Sequence, residues 1–177
     1  MRRLVYSVAA SADGFIARSD GAIDWLEDRA AADYGMEEFV RGVDTVVWGR
    51  RTFDESLPRG GVEPFGPRLK HVVVTHRPPP AKTDPRVAFH RGPLPDLVRR
   101  LRSEPGKDVW VMGGASLAGA LLDAGGVDEV VVHQIPVLLG AGIPLFAPAG
   151  RTVPLELVET RAFPDGVVRL HHRVRTR

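Results

Sequence analysis

Residues 109–122 read VWVMGGASLAGALL. The first four residues are apolar and predict a buried strand that stops at two glycines, after which Leu117, Leu121 and Leu122 share one face of a helix. A strand, a glycine turn and a helix N-terminus let backbone amides approach a phosphate, because no Cβ stands in the way and the helix end is partially positive. A tight turn without a ligand has the same pattern. The segment therefore predicts a strand–turn–helix unit and leaves the phosphate open.

The composition is typical of one globular domain, which we place at residues 1–177. Hydrophobic residues make up 44% of the chain and charged residues 26%, both ordinary values. No apolar run approaches the ~20 residues that cross a membrane, and the N-terminus lacks the pattern of a signal peptide. Because there is no cysteine, disulfides and thiolate chemistry are excluded. We expect a cytoplasmic protein with no membrane partner.

The charge pattern does not favour nucleic-acid binding. The formal net charge is only +2, and basic residues are not interleaved with aromatic ones. The last predicted strand, residues 168–174, alternates apolar and basic residues, and we interpret its basic side as a solvated face that discourages pairing at a sheet edge. The basic residues in and just after this strand are Arg169, His171, Arg173 and Arg175.

Strands alternate with helices along the chain, and the last two strands are close enough for a hairpin. Predicted strands cover residues 4–9, 44–48, 71–75, 87–89, 109–112, 130–135, 155–159 and 168–174, and helices cover about 33–41, the residues after 49, 95–101 and the residues after 114. This order predicts an α/β fold with a mostly parallel central sheet, an antiparallel C-terminal edge hairpin and helices on both faces.

Three predicted strands end in glycine or in basic residues, at 49–52, 75–77 and 112–116. Ligands of open α/β sheets bind beyond the carboxyl ends of the strands, so the three ends together favour a phosphate-bearing ligand. Arg50 and Arg51 start a predicted helix, where a cation opposes the helix dipole unless an anion binds there. Two solvated surface arginines remain the alternative interpretation.

The motifs, in this order, resemble the dihydrofolate reductase superfamily, and within it the reductase domain of the bacterial bifunctional deaminase–reductase of riboflavin biosynthesis. The similar segments are 11–17 (SADGFIA), 46–53 (VVWGRRTF), 72–75 (VVVT) and 112–117 (MGGASL). Residues 136–146 (PVLLGAGIPLF) resemble the riboflavin reductases rather than dihydrofolate reductase. The resemblance runs nearly end to end. It implies a dihydrofolate-reductase-like fold, a stand-alone NADPH-dependent reductase and a homodimer.

The resemblance also implies which residues bind NADPH. Backbone groups of Ala9 and Ile16 would meet the nicotinamide, and the peptide bond between Gly113 and Gly114 would be cis. The residues expected at the phosphates are Gly49, Arg50, Arg51 and Thr52; those at the adenosine 2′-phosphate are Thr75, His76 and Arg77; those at the pyrophosphate are Met112, Gly113, Gly114, Ala115, Ser116 and Leu117. Because arginine binds phosphate through charge-assisted bonds, the arginines predict a preference for NADPH over NADH.

The substrate is less constrained. Residues 27–33 give no secure match to the helix carboxylate of dihydrofolate reductase, and the chain has neither a deaminase domain nor a zinc motif. We expect a small heterocycle, either pterin-like or 5-amino-6-(5-phosphoribosylamino)uracil-like, reduced by direct hydride transfer. A catalytically silent nucleotide-binding module is the alternative.

Several residues are candidates for the chemistry beside the cofactor. Asp13 and Asp24 could hold the water that delivers a proton, although Asp13 also suits a turn before Gly14 and Asp24 suits a helix cap. Trp25 could stack on the substrate ring, and Ser7 and His133 would face the pocket; core packing is the more common reason for a tryptophan or a strand histidine such as Trp25 and His133. No cluster has metal-ligand spacing, so we expect no metal.

Overall fold

The computed structural model describes residues 1–29, 33–147 and 151–175 of the chain. The strands are β1 (Leu4–Ser11), β2 (Phe15–Ala17), β3 (Val43–Gly49), β4 (Lys70–Val74), β5 (Val87–His90), β6 (Asp108–Gly113), β7 (Glu129–Ile135), β8 (Ile143–Pro144), β9 (Leu155–Ala162) and β10 (Val168–Val174). The helices are α1 (Met36–Arg41), α2 (Arg50–Ser56), α3 (Leu94–Ser103) and α4 (Ala115–Asp123). None of these helices is long and apolar enough to cross a membrane.

Eight strands form one sheet in the order β5-β4-β3-β6-β1-β7-β10-β9. All pairs from β5 to β7 are parallel, whereas β10 runs antiparallel to both β7 and β9. The predicted fold class is therefore confirmed. The interpretation of the basic side of β10 as an edge is wrong, because β9 is the edge strand and β10 lies inside the sheet.

Helices cover both faces of the sheet because successive residues of each strand point to opposite sides. On one face, Leu4 and Tyr6 of β1 pack with leucines of α3 and α4. On the other face, Trp48 and Trp110 pack with Phe53 of α2 and with the half-buried apolar residues of α1. Strand β1 lies inside the sheet, between β6 and β7.

The structure differs from the prediction at two connections. Helix α1 begins at Met36 and not near residue 33, because Gly35 has a left-handed φ of 84°. Residues 30–32 lie outside the described residues. The loop predicted at 136–146 contains the short strand β8, which pairs with β2. Strand β8 has only two residues, and one of them is a proline, so the sequence shows no strand pattern there.

Arg2 and His71 are buried away from the carboxyl ends of the strands. The Arg2 side chain is 5% exposed, forms an ion pair with Asp44 and donates hydrogen bonds to the carbonyl of Lys107 (2.6 Å) and to Thr45 Oγ1 (2.8 Å). His71 is fully buried on β4, and its Nδ1 accepts a hydrogen bond of 3.0 Å from Trp48 Nε1. Burial, together with the charge of Arg86, lowers the pKa of His71 from 6.5 to about 4.

Candidate functional site

A cleft of about 600 Å³ opens at the carboxyl ends of β3, β4 and β6. The three strand ends that the sequence singled out therefore do meet at one place. The predicted cofactor residues that line this cleft are Ile16, Gly49, Arg50, Arg51, Thr52, Thr75, His76, Met112, Gly114, Ala115, Ser116 and Leu117. Ala9, Gly113 and Arg77 are not among its lining residues, although Arg77 lies on a shelf that adjoins the cleft at Thr75 and His76.

The floor of the cleft is bare backbone. The Gly113–Gly114 peptide bond is cis, as the resemblance implies, and Gly113 has a φ of 109°. A Cβ on Gly114 would lie 3.2 Å from Thr52 Oγ1, and one on Gly49 would lie 3.2 Å from the carbonyl oxygen of Gly113. Side chains would therefore fill the space between the ends of β3 and β6. Helix α4 starts directly after this floor, where its first amides have no partner within the helix.

Basic side chains stand at one end of the cleft and are partly neutralised. Arg50 Nε lies 2.8 Å from a carboxylate oxygen of Asp54, and Arg51 Nε lies 2.8 Å from one of Glu55. Arg77 is exposed and forms no ion pair with any of the described residues. With three arginines against two carboxylates, the shelf keeps a positive charge that suits an anion.

A turn fixes the backbone at the end of β4. The side chain of Thr75 is buried, and its Oγ1 accepts a hydrogen bond of 3.0 Å from the amide of Arg77. This hydrogen bond closes a local turn of the kind that serine and threonine side chains form. It leaves His76 and Arg77 exposed beside Arg50 and Arg51.

A second cavity, which we call the trough, has a volume of about 280 Å³ and lies on the opposite face of the sheet. Strand β1 lies between the two cavities, because Val8 lines the cleft whereas Ser7 lines the trough. The lining of the trough includes Val5, Ser7, Phe39, Glu129, Val131, His133, Arg169 and His171. Ser7 and His133, two of the predicted substrate residues, are thus brought together.

The sequence analysis missed the charged groups of the trough. Glu129 is 7% exposed in its side chain and lies 2.9 Å from both Arg3 Nη1 and His171 Nε2. Arg169 Nη2 donates to Glu159 at 2.6 Å. The basic side of β10 is therefore not a solvated face at Arg169 and His171, because both side chains line the trough. The sequence signal that could have indicated these groups is Glu129, a carboxylate directly before the apolar run 130–132.

The hydrogen bond of His133 defines its tautomer. Burial lowers the pKa of His133, the bond to the carbonyl of Tyr34 partly opposes this effect, and the guanidinium of Arg169 adds to it. His133 Nε2 lies 3.3 Å from the backbone carbonyl oxygen of Tyr34, which can only accept, so Nε2 carries the proton. Nδ1 is then an acceptor.

The two predicted catalytic carboxylates have structural partners. Asp13 accepts hydrogen bonds from Ser11 Oγ (2.6 Å) and from the amides of Leu139 and Gly140 (2.7 Å to Gly140), and these bonds, led by that from Ser11, lower its pKa. Asp24 is exposed, and its bond to Arg18 lowers its pKa. Neither lines the cleft or the trough.

Trp25 does not line the cleft or the trough either. It is half-buried in a short 3₁₀ helix at residues 24–29, and its Nε1 is buried with no hydrogen-bond partner among the described residues. The catalytic roles of Asp13 and Asp24 and the substrate role of Trp25 stay predictions.

Comparison with known proteins identifies relatives that have a similar sequence or a similar structure. YwjB of Bacillus subtilis (strain 168), itself uncharacterized, is 34% identical over 172 residues, which are 97% of each chain. A Shewanella sp. PV-4 protein, whose name assigns it to riboflavin biosynthesis, has a crystal structure with a TM-score of 0.86, at 25% identity over 99% of this chain and 100% of that one.

A third likeness concerns the fold alone. Dihydrofolate reductase from Enterococcus faecalis, solved with NADP(H), has a TM-score of 0.69 at 16% identity, over 98% of this chain and 97% of that one. The fold is therefore dihydrofolate-reductase-like. Residues 2–169 match the RibD C-terminal domain, and the chain belongs to that family.

Proposed function

We propose that the chain is an NADPH-dependent reductase of a small heterocycle, either pterin-like or 5-amino-6-(5-phosphoribosylamino)uracil-like, and that it acts by direct hydride transfer. The observation that carries the proposal is the cleft itself: bare glycine backbone forms its floor, and basic side chains form one end. The dihydrofolate reductase of Enterococcus faecalis, which shares the fold, was solved with NADP(H).

The residues of the cleft suit the parts of this cofactor. In our proposal the amides of Ala115, Ser116 and Leu117 hold the pyrophosphate, because the first turn of a helix offers unpaired N–H groups to an anion. Arg77 holds the 2′-phosphate through charge-assisted bonds, and Arg50, which the resemblance places at the phosphates in general, joins it there because both line the same shelf. When bound, the cofactor would supply the hydride from its reduced nicotinamide. The protein positions both reactants and keeps water away from them.

A nucleotide-binding module without catalysis is the second candidate, and one observation favours it. Asp13 and Asp24 both accept hydrogen bonds from other groups of the fold, and neither lines the cleft or the trough, so neither is placed to hold a water beside the cofactor. In the reductase proposal, the proton comes from solvent water that enters with the substrate. NADPH oxidation with a panel of pterins and aminopyrimidines separates the candidates, since the silent module binds NADPH without turnover.

The cofactor assignment is tested by comparing NADPH with NADH. Arg77→Ala and Arg50→Ala each remove a charge-assisted contact that NADH cannot make, and we expect each to weaken NADPH by about 1.5–3 kcal/mol, roughly 10- to 100-fold, with little effect on NADH. Arg99→Ala, an exposed arginine on α3 that pairs with Asp96, is the matched control. Equal losses for both cofactors would contradict the assignment.

The oligomeric state and the location are further proposals. We propose a homodimer, supported by the apolar residues Leu155, Leu157 and Val158, which are exposed on the edge strand β9. Light scattering of the purified chain tests it, and a monomer at all concentrations would refute it. We also place the reaction in the cytoplasm, in keeping with a chain that has no cysteine.

A further inference from the structure

A third cavity, which we call the amino-end pocket, lies at the end of the sheet opposite to the cleft. Its volume is about 430 Å³, which is within the range of small-molecule sites. Its walls come from the amino ends of β3 and β4, from the residues just before β6 and from the last residues of α1. None of its described lining residues also lines the cleft, so the function proposed above does not use this pocket.

The inner wall of the amino-end pocket is apolar. Val43 and Leu69 are buried there, and Val40 and Phe65 are half-buried. Phe65 packs edge-on against Trp48, with 5.4 Å between the ring centroids, so this wall is continuous with the core behind it. The large apolar side chains exposed on the described surface belong to other segments. The apolar surface is therefore concave, which suits a small apolar group better than the flat face of a partner protein.

Hydrogen bonds hold the walls of the pocket in place. Asp44 Oδ2 accepts a bond of 2.8 Å from the amide of Lys107, which joins the amino ends of β3 and β6. Gly106 permits this approach, because a Cβ there would collide with the same carboxylate oxygen. On the other side of the pocket, Arg86 Nη1 donates to the carbonyl of Gly66 at 3.1 Å. Because the walls are fixed in this way, a ligand would lose little binding energy to ordering the protein.

The rim of the pocket is positively charged. Arg41, Arg68 and Lys107 are exposed there, and the guanidinium groups of the two arginines form no ion pair with any of the described residues. Lys107 Nζ donates to the backbone carbonyl of Arg41 at 2.6 Å, so no carboxylate neutralises it. Among the described lining residues the one carboxylate is that of Asp44, which already pairs with Arg2. An anion at the rim therefore meets cations whose charge is not cancelled.

We propose that the amino-end pocket binds a small amphiphilic anion, namely an apolar ring system that carries a carboxylate. The rings lie against Val43 and Phe65, and the carboxylate lies at Arg41 and Arg68. Arginine suits this group, because its planar guanidinium can bind a carboxylate through two parallel hydrogen bonds. Strand β3 separates the site from Gly49 at the floor of the cleft by roughly 20 Å, so the proposal does not depend on the reductase function.

Two probes test the chemistry and the location of the site. They are 2-naphthoate, a two-ring carboxylate, and 2-naphthamide, its neutral counterpart. Each is titrated into the full chain, and binding is followed by the NMR chemical shifts of labelled methyl groups. The methyl groups of Val43 and Leu69 report on the amino-end pocket, whereas those of Val74 and Leu117 report on the cleft.

A double variant removes the charge of the rim. Arg41→Gln together with Arg68→Gln changes two exposed side chains that pair with no described residue, so the fold should be kept. Arg100→Gln is the matched control, because Arg100 is also exposed and unpaired among the described residues. It lies on α3, which packs on the opposite face of the sheet from the pocket.

We expect 2-naphthoate to bind saturably with shifts at Val43 and Leu69, and to bind roughly fivefold more tightly than 2-naphthamide, as for ion pairs with exposed arginines. The double variant should lose this preference, and Arg100→Gln should keep it. The proposal is overturned by shifts confined to the cleft methyl groups, by an absence of saturable binding, or by equal affinity for the two probes. A preference that survives in the double variant overturns it as well. If that variant does not fold, salt decides on the wild type: the preference should shrink at high ionic strength, and a preference independent of salt overturns the proposal.

Discussion

The buried imidazole of His71 should make the stability of the protein depend on pH. In the folded state its pKa is lowered from 6.5 to about 4, mainly by burial. The unfolded chain therefore binds a proton more readily than the native protein between these two values. Stability rises with pH wherever the unfolded state holds more protons, so the contribution of His71 is fully present above about pH 6.5 and is lost as the pH falls towards 4.

The magnitude follows from the two pKa values. Each pH unit between them is worth about 1.4 kcal/mol, which gives at most about 3 kcal/mol over the whole interval. By the same linkage relation the loss is about 2 kcal/mol between pH 8 and pH 5. With a urea m-value of about 2 kcal/mol/M, the midpoint of unfolding should fall by about 1 M.

A matched variant isolates this residue from the other groups that titrate. His71→Asn keeps an acceptor for the indole of Trp48, which donates to His71 Nδ1 at 3.0 Å, and it has no proton to gain. The void it leaves lowers stability equally at all pH values. Urea unfolding of both proteins from pH 8 to pH 5 should give converging stabilities, the wild type losing about 2 kcal/mol more than the variant. Parallel curves would show that His71 is not buried in its neutral form.

Three further predictions concern packing and the cleft. Arg2→Met should lower stability by about 1.5–3 kcal/mol in thermal or urea unfolding, because the buried guanidinium no longer pairs with Asp44 or donates to Thr45 Oγ1 and to the carbonyl of Lys107; a loss well below 1 kcal/mol, as for many surface ion pairs, would contradict this account. Asp13→Ala should speed hydrogen exchange at the Gly140 amide by roughly tenfold or more, since a charged acceptor is lost, and exchange as slow as in the wild type would refute the contact. Gly114→Ala should weaken NADPH binding in calorimetry by roughly tenfold or more while the protein stays folded, because the new Cβ would stand on the floor of the cleft, 3.2 Å from Thr52 Oγ1; unchanged affinity would place the cofactor elsewhere.

The fold was predictable because its signals are local. Apolar runs of four to eight residues that end in glycine or turn residues predict buried strands, and β1, β3, β4, β6 and β7 all have that form. The alternation with helices then leaves few arrangements other than a mostly parallel sheet. The cleft followed from the same logic, since the carboxyl ends of parallel strands lie at one edge.

The trough was not predictable in the same way, because it depends on which strands become neighbours. Arg169 lies opposite His133 only because β10 inserts between β7 and β9. From sequence, the alternation of β10 is equally typical of an edge strand with one side in solvent. Asp13 shows a related limit: its bonds to the loop at residues 139–140 span more than 120 positions of sequence, and no local pattern reports such a contact.

The way β1 divides the two cavities has a consequence for protein engineering. Side chains at odd positions of this strand, such as Val5 and Ser7, belong to one compartment, and Val8 belongs to the other. Substitutions at odd positions of β1 would therefore change the trough, and substitutions at even positions would change the cleft, so a designer could alter the two cavities independently. The same arrangement makes the strand intolerant of a one-residue insertion, which would exchange the two sets of side chains at once.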